Sequence, residues 1–332
     1  MSAPPRLEEL LPAALAARAD LLSRLAAEDT DCVRLFHGAV EGLPGVTLDR
    51  YGPNALLQVW RPDALGGVDA HEVAAVLQAE LGLSLPVRLH LRGRAAEGVG
   101  PASAPAPAEG REGGLRYDVT PPLPGRDPLL FLDLRAGRRA VRAAAEGRDV
   151  LNLFAYTCGV GVAAAAGGGR SVNVDFSASA LTVGESNAGR NGLAPSFSTL
   201  KEDVLPVVRQ FSGLGVKGRA ARRRRFRRLE PRTFDLVVLD PPRWAKSPFG
   251  AVDLVRDYPS LFKPALLCAH EGGELLVTNH VPRVHLDDWL DVLRRCATKA
   301  GRPIRELEVV PPDEDFPSPD GRHPLKMAWI RL

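Results

Sequence analysis

The chain has 332 residues, enough for two domains, one of them a parallel α/β unit with a sizeable core. No run of about eighteen apolar residues and no signal-peptide pattern occurs, which excludes a membrane-spanning helix and leads us to expect a cytoplasmic protein. The formal charge of +3 conceals a split: Lys217 to Arg232 holds nine basic residues and one acid, Glu230, so that segment is +8 and the remainder −5, a concentration that points to a polyanion partner.

The four cysteines, Cys32, Cys158, Cys268 and Cys296, lie far apart with no C-x-x-C pair, and the seven histidines show no H-E-x-x-H spacing. Free thiols are expected, with no disulfide framework and no metal site.

In chain order, residues 1–30 read as N-terminal packing helices, with Leu10, Leu11, Leu15, Leu21, Leu22 and Leu25 at helical spacing and Pro12 ending or kinking the first piece. Residues 31–119 read as a small hairpin-rich α+β domain. Its strands are Cys32–Phe36, Val46–Arg50 and Ala55–Trp60, separated by turns at Glu41–Gly45 and Tyr51–Asn54. A helix follows at His71–Leu81, with further strands at Val87–Leu91 and Leu115–Val119. Within this domain residues 95–114, rich in Ala, Pro, Gly and Glu, are expected to be a flexible loop.

Residues 120–332 carry the pattern of a larger α/β domain. Arg135 precedes a helix over Arg138–Ala145, whose arginines face either an anionic ligand or solvent. Asp149-Val-Leu-Asn-Leu then forms a short apolar run without polar alternation, as a doubly buried parallel strand does. Phe154-Ala-Tyr-Thr-Cys-Gly-Val-Gly makes a tight turn in which Gly159 and Gly161 let backbone approach a ligand, Val162–Ala166 opens a helix, and Ser171–Val174 is the next strand, closing on Asp175. An acid sixteen positions after Gly159 can accept both hydroxyls of a ribose. The ligand is then a nucleoside, either a dinucleotide or S-adenosylmethionine. The third glycine of G-x-G-x-x-G is absent, and a glycine-containing crossover without a ligand is the remaining alternative.

A helix over Ser179–Asn191 and a strand over Phe197–Leu200 lead to Asp203, placed to accept an adenine amine, to cap the helix Val204–Phe211, or both. The basic segment follows. Arg222, Arg223, Arg224, Arg225, Arg227 and Arg228 surround Phe226, which suits phosphate contact beside a stacking ring, or a solvated insertion over 217–232. Leu236–Leu239 is a buried strand with Asp240-Pro241-Pro242-Arg243-Trp244 at its carboxyl end, where the prolines fix the backbone and Trp244 can stack on a planar base. Glu274–His280 is the fifth strand and opens into Asn279 and His280, which serve either the chemistry or the strand-end backbone. A helix over Leu286–Ala300 and strands at Ile304–Val310 and Lys326–Leu332 complete the chain, with the loop Pro311–Pro324 expected to border the pocket.

Taken together, Phe131-Leu-Asp-Leu-Arg135, Asn152-Leu-Phe-Ala-Tyr-Thr157, Asp175, Asp203, Asp240-Pro-Pro-Arg-Trp244 and Gly272-Gly-Glu-Leu-Leu-Val-Thr278 resemble the bacterial S-adenosylmethionine-dependent large-subunit (23S) rRNA methyltransferases of the cytosine-C5 and guanine-N7 branch. Asp31 to Tyr51 is similar to the hairpin domain that precedes their catalytic domain. The resemblance implies a seven-stranded, Rossmann-like class I methyltransferase sheet with a reversed last strand. It also implies S-adenosylmethionine as cofactor and ribosomal RNA as partner.

Some members add an N-terminal RNA-binding domain, for which there is no room before Asp31, and the Arg-rich insertion is expected to replace its contribution. Residue by residue, the resemblance puts Phe154, Tyr156 and Gly159 in the cofactor loop, Asp175 on the ribose and Asp203 on the adenine. Arg135 falls near the cofactor carboxylate, and Asp240 and Pro241 face the methyl group and target base. Cytosine-modifying members carry a nucleophilic cysteine just after the fifth strand, where this chain has Thr278-Asn279-His280. Members that methylate guanine N7 carry Ser-Asn-Asn there, which is closer. A purine nitrogen is therefore the expected target. Cytosine carbon 5, or an RNA-binding protein with an inactive fold, are the alternatives.

Overall fold

The computed structural model describes residues 5–93, 105–216 and 225–332, which form two compact units. The first runs to Asp133 and takes in Asp313–Gly321. Its helices α1 (Leu7–Ala16) and α2 (Ala19–Ala27) are followed by β1 (Cys32–Phe36), β2 (Val46–Tyr51), β3 (Asn54–Val59), α3 (Ala70–Leu81) and β4 (Val87–Leu91). The strands form one sheet in the order β1-β2-β3-β4, antiparallel except for the parallel pair β3/β4. Leu7, Leu11, Leu15, Leu21 and Leu25 share one apolar core with Leu35, Leu48, Leu57, Val73 and Leu77. The N-terminal helices thus belong to the hairpin unit and do not stand apart. Pro12 lies inside α1 without ending it.

One expectation about this unit is corrected. Within the stretch read as a flexible loop, β5 (Glu109–Glu112) pairs with β6 (Leu115–Asp118) in a hairpin. Its two-residue turn, Gly113-Gly114, has φ of +57° and +75°, the left-handed pair that only glycine adopts without strain and that matches the strand twist. The rest of that loop lies largely outside the described residues. The stretch expected to border a pocket, Pro311–Pro324, contributes its middle to this unit: Asp315 is fully buried, accepts a 3.0 Å hydrogen bond from the Arg34 amide, and is followed by Phe316 under the Arg34 guanidinium.

The second unit contains α4 (Arg135–Ala144), β7 (Asp149–Leu153), α5 (Gly159–Ala166), β8 (Arg170–Asp175), α6 (Ala178–Arg190), β9 (Phe197–Lys201) and α7 (Val204–Phe211). These are followed by β10 (Phe234–Leu239), β11 (Trp244–Ser247), β12 (Gly250–Asp253), α8 (Tyr258–Cys268), β13 (Ala269–Asn279), α9 (Leu286–Lys299), β14 (Glu306–Val309) and β15 (Lys326–Arg331). Seven strands form a sheet ordered β14-β15-β13-β10-β7-β8-β9. β13, β10, β7, β8 and β9 run parallel, and the last strand, β15, is reversed. This is the class I methyltransferase sheet that the resemblance implies.

The central strands are apolar on both faces because each face is covered. Leu151, Leu153, Val237, Leu239, Leu275 and Val277 join α7, α8 and α9 on one side, while Val150, Leu236, Val238 and Leu276 join α4 and α5 on the other. The polar residues inside the sheet are consumed there. Asn173, fully buried, accepts from Asn152 at 2.9 Å and donates to the Ser171 hydroxyl and the Ser198 carbonyl, tying three strands together.

Candidate active site

The chain starts the parallel sheet at β7, builds outward through β8 and β9, then returns to add β10 and β13 on the other side. The order therefore reverses between β7 and β10, and in open α/β sheets ligands bind outside the carboxyl ends at such a switch point. Leu153 and Asp240 meet there, with the Asp240 amide 3.5 Å from the Leu153 carbonyl.

After β7 the backbone takes left-handed conformations at three non-glycine residues in alternation: Phe154 (φ +60°), Tyr156 (+49°) and Cys158 (+59°). Such conformations are costly for side chains of this size and persist where the surroundings over-determine them, as at ligand sites. Phe154 packs on the core. The Tyr156 amide donates to Asp175 Oδ2 at 2.9 Å, and the Ser177 amide to Asp175 Oδ1 at 2.8 Å. Asp175, 7% exposed, is a buried carboxylate whose two oxygens each receive a single backbone donor, so each keeps lone-pair capacity for a hydroxyl. Beside it Phe176 is 70% exposed.

Helix α5 begins at Gly159, three residues before the expected start, because Cys158 takes the left-handed N-cap position. Gly161 has a different task from the one expected. A Cβ there would sit 1.8 Å from Asn173 Oδ1, so its hydrogen lets α5 pack closely on β8. Asp203 caps α7, with Oδ1 accepting from the Leu205 amide at 2.9 Å.

On the other side of the switch point β10 and β13 pair with Leu239 opposite Val277, which puts Thr278 beside Asp240. The Thr278 hydroxyl donates to Asp240 Oδ1 at 2.5 Å and His280 Nε2 lies 2.7 Å from the same oxygen. Burial alone would raise the Asp240 carboxyl pKa. His280, the Thr278 hydroxyl and the charge of Arg138 outweigh it and hold Asp240 below the usual carboxylate range. Arg135 and Arg138, at 2% and 3% exposed, are both buried, which rules out the solvated helix face for these two. Pro241 is buried and Trp244 is 65% exposed.

Asn279, expected among the reacting groups, is fully buried and spent on backbone: its amide nitrogen donates to the Leu254 carbonyl and its oxygen accepts from the Val281 amide at 2.9 Å. His280, its neighbour, takes the place at Asp240 instead. Lys326, paired in register with Asn279, donates to the Val281 and Pro324 carbonyls, fixing the exit of β13; burial, with Arg243 nearby, lowers its pKa to about 8.

All four cysteines are buried and free. Burial pushes the Cys268 thiol up to about 12, and burial with the charges of Asp175 and Glu185 raises Cys158 further. Of the six arginines expected to meet RNA, Arg222, Arg223 and Arg224 lie outside the described residues, while Arg225, Arg227 and Arg228 are exposed. Among the described residues no metal-binding cluster and no helix long and apolar enough to cross a membrane occur.

A family model for S-adenosylmethionine-dependent methyltransferases matches residues 110–331. The chain is 30% identical over 310 residues to a ribosomal RNA large subunit methyltransferase of Deinococcus radiodurans, covering 90% of this chain and 71% of that protein. It is 28% identical over 307 residues to the ribosomal RNA large subunit methyltransferase I of Erwinia tasmaniensis, covering 87% and 71%. Among solved structures it shares its fold with a Streptococcus mutans protein assigned to the SAM-dependent methyltransferases, at a TM-score of 0.78 and 21% identity over 100% of this chain and 83% of the other. The chain belongs to the family of S-adenosylmethionine-dependent methyltransferases, the family that also holds these bacterial ribosomal RNA enzymes.

Proposed function

We propose that this enzyme methylates a base of RNA, with large-subunit (23S) ribosomal RNA as substrate and a purine nitrogen, guanine N7, as the acceptor. The names of its relatives and the arginine-rich segment support the RNA substrate. The target atom rests on one observation: the place after the fifth strand where a cytosine-C5 enzyme needs a thiolate holds Asn279, and every cysteine of the chain is buried. The lone pair of a ring nitrogen needs no covalent adduct, only positioning against an electrophilic methyl group.

When bound, S-adenosylmethionine supplies that methyl group. Asp175 takes the ribose hydroxyls with the lone-pair capacity its two backbone donors leave, while Phe154, Tyr156 and Gly159 line the cofactor loop. Asp203 faces the adenine, and Arg135 lies towards the cofactor carboxylate. Asp240, held by Thr278 and His280, and Pro241 fix the wall at the reacting atom, and Trp244 stacks on the base once it leaves its helix. Asn279 serves this site by shaping the chain between Leu254 and Val281.

A cytosine-C5 enzyme traps 5-fluorocytidine RNA through its thiolate; this enzyme should form no such adduct, and Cys158→Ser with Cys268→Ser should still transfer methyl groups. A covalent RNA adduct abolished by either substitution would overturn the nitrogen assignment.

A further inference from the structure

The hairpin β11–β12 follows Asp240-Pro-Pro-Arg directly. Its side chains alternate: Ala245 packs on the core and Val252 is buried, while Trp244 and Lys246 share the exposed face. The acid on that face, Asp253, is turned to its own turn, where Oδ1 accepts from the Val255 and Arg256 amides. At the hairpin tip Phe249, whose amide donates to the Ser247 hydroxyl, meets Phe226 edge to face at 5.6 Å. The Arg228 guanidinium lies over the Phe226 ring, 4.7 Å from its centroid.

One helix holds both parts. Gln210 of α7, 8% exposed, donates to the Arg227 carbonyl and accepts from the Leu229 amide, each at 3.1 Å, gripping the tail of the arginine segment at two backbone points. At its other end the same helix sends Leu205 against Gly250, where an added Cβ would approach to 3.2 Å. Arg225, Arg227, Arg228, Arg243 and Lys246 are all exposed, and none has a carboxylate partner among the described residues.

We propose that the outer face of this hairpin, with the arginine tail docked on its tip, is a platform for single-stranded RNA, in which Trp244 stacks a base and Lys246, Arg225 and Arg227 take the flanking phosphates. The inference rests on the RNA-methyltransferase reading. An exposed ring two residues from a cation on one strand face, continued by guanidinium groups without carboxylate partners, is what a sequence-tolerant single strand needs. A duplex would hide the base faces from Trp244. Gln210 and the Phe226–Phe249 pair are positioning elements that fix the distance from phosphate-binding cations to stacking ring.

The test uses the full chain, a twelve-nucleotide oligouridylate and an RNA duplex of equal length, with binding followed by anisotropy across a salt series. S-adenosylmethionine affinity and methyl transfer to total ribosomal RNA are measured alongside. Lys246→Ala should lower the slope of log K against log salt by about 0.7 for the single strand, one phosphate's worth. Trp244→Ala should weaken oligouridylate binding about tenfold. Phe249→Ala, on a partly exposed ring, should weaken it severalfold while every cation remains and cofactor affinity is unchanged. Unchanged single-strand binding in all three variants, or equal loss for duplex and single strand, would overturn the platform and leave the RNA-methyltransferase reading standing. Wild-type protein that binds the cofactor yet methylates no ribosomal RNA would instead remove that reading.

Discussion

Asp240 and His280 show how a strand end becomes a site. Because side chains alternate along β13, Thr278 and His280 turn to the same face and both reach Asp240, while Asn279 turns into the body of the unit. The residue types at the fifth strand's end were readable from sequence. The face each one takes was not, since it depends on the pairing of Leu239 with Val277. Removing the carboxylate, as in Asp240→Ala, should cut turnover by at least about a hundredfold, the usual effect of misplacing groups at a reacting atom.

The pH dependence follows from the lowered Asp240 pKa. Its stabilising share is fully present above the unfolded value of about 3.9 and is lost as pH falls through the lower folded value. In urea titrations the stability difference between Asp240→Asn and wild type should shrink in acid, as pH falls through the lowered Asp240 value. A difference that stays constant down to about pH 2 would leave Asp240 without that pairing. At the cofactor side, Asp175→Ala should weaken S-adenosylmethionine binding by at least about 1.4 kcal/mol, roughly tenfold, in calorimetry; a folded variant with unchanged affinity would remove Asp175 from the ribose.

Among elements, the strands with continuous apolar runs and the caps around them were legible because burial on both faces and local capping are written in short windows. Asp203 and the Asp149–Leu153 run are examples. The hairpin β11–β12 was not, since Pro248-Phe249-Gly250 reads as part of a proline-rich turn and its strands have only Val252 fully buried. Glu109–Glu112 was missed for the same reason: its polar residues read as loop until Gly113-Gly114 is recognised as a hairpin turn. The close approach of α5 to β8 gives a stability test. Gly161→Ala must push a methyl group into Asn173 and should cost about 1–3 kcal/mol, measured by chemical denaturation. The basic segment gives a binding test: replacing Arg222, Arg223, Arg224, Arg225, Arg227 and Arg228 by serine should flatten the salt dependence of RNA affinity by roughly 0.7 for each phosphate no longer neutralised.

At the scale of the whole molecule, the order of apolar strands, the acids at their carboxyl ends and the proline pair after the fourth parallel strand pointed to an α/β nucleoside-binding fold, and the resemblance of these motifs to rRNA methyltransferases supplied the class I methyltransferase assignment. The matching family model covers the same region. What composition could not reveal is that residues 313–321, far along the chain, belong to the first unit, because that membership rests on Asp315 and Phe316 meeting Arg34 across the sequence. The chemistry of the target is the claim on which the rest depends. Nucleoside mass spectrometry of 23S ribosomal RNA, from cells with and without the protein and from purified enzyme supplied with S-adenosylmethionine, tests it most directly. A methylated guanine that disappears with the protein and returns with the enzyme is the expected result, and a 5-methylcytosine that does so would contradict it.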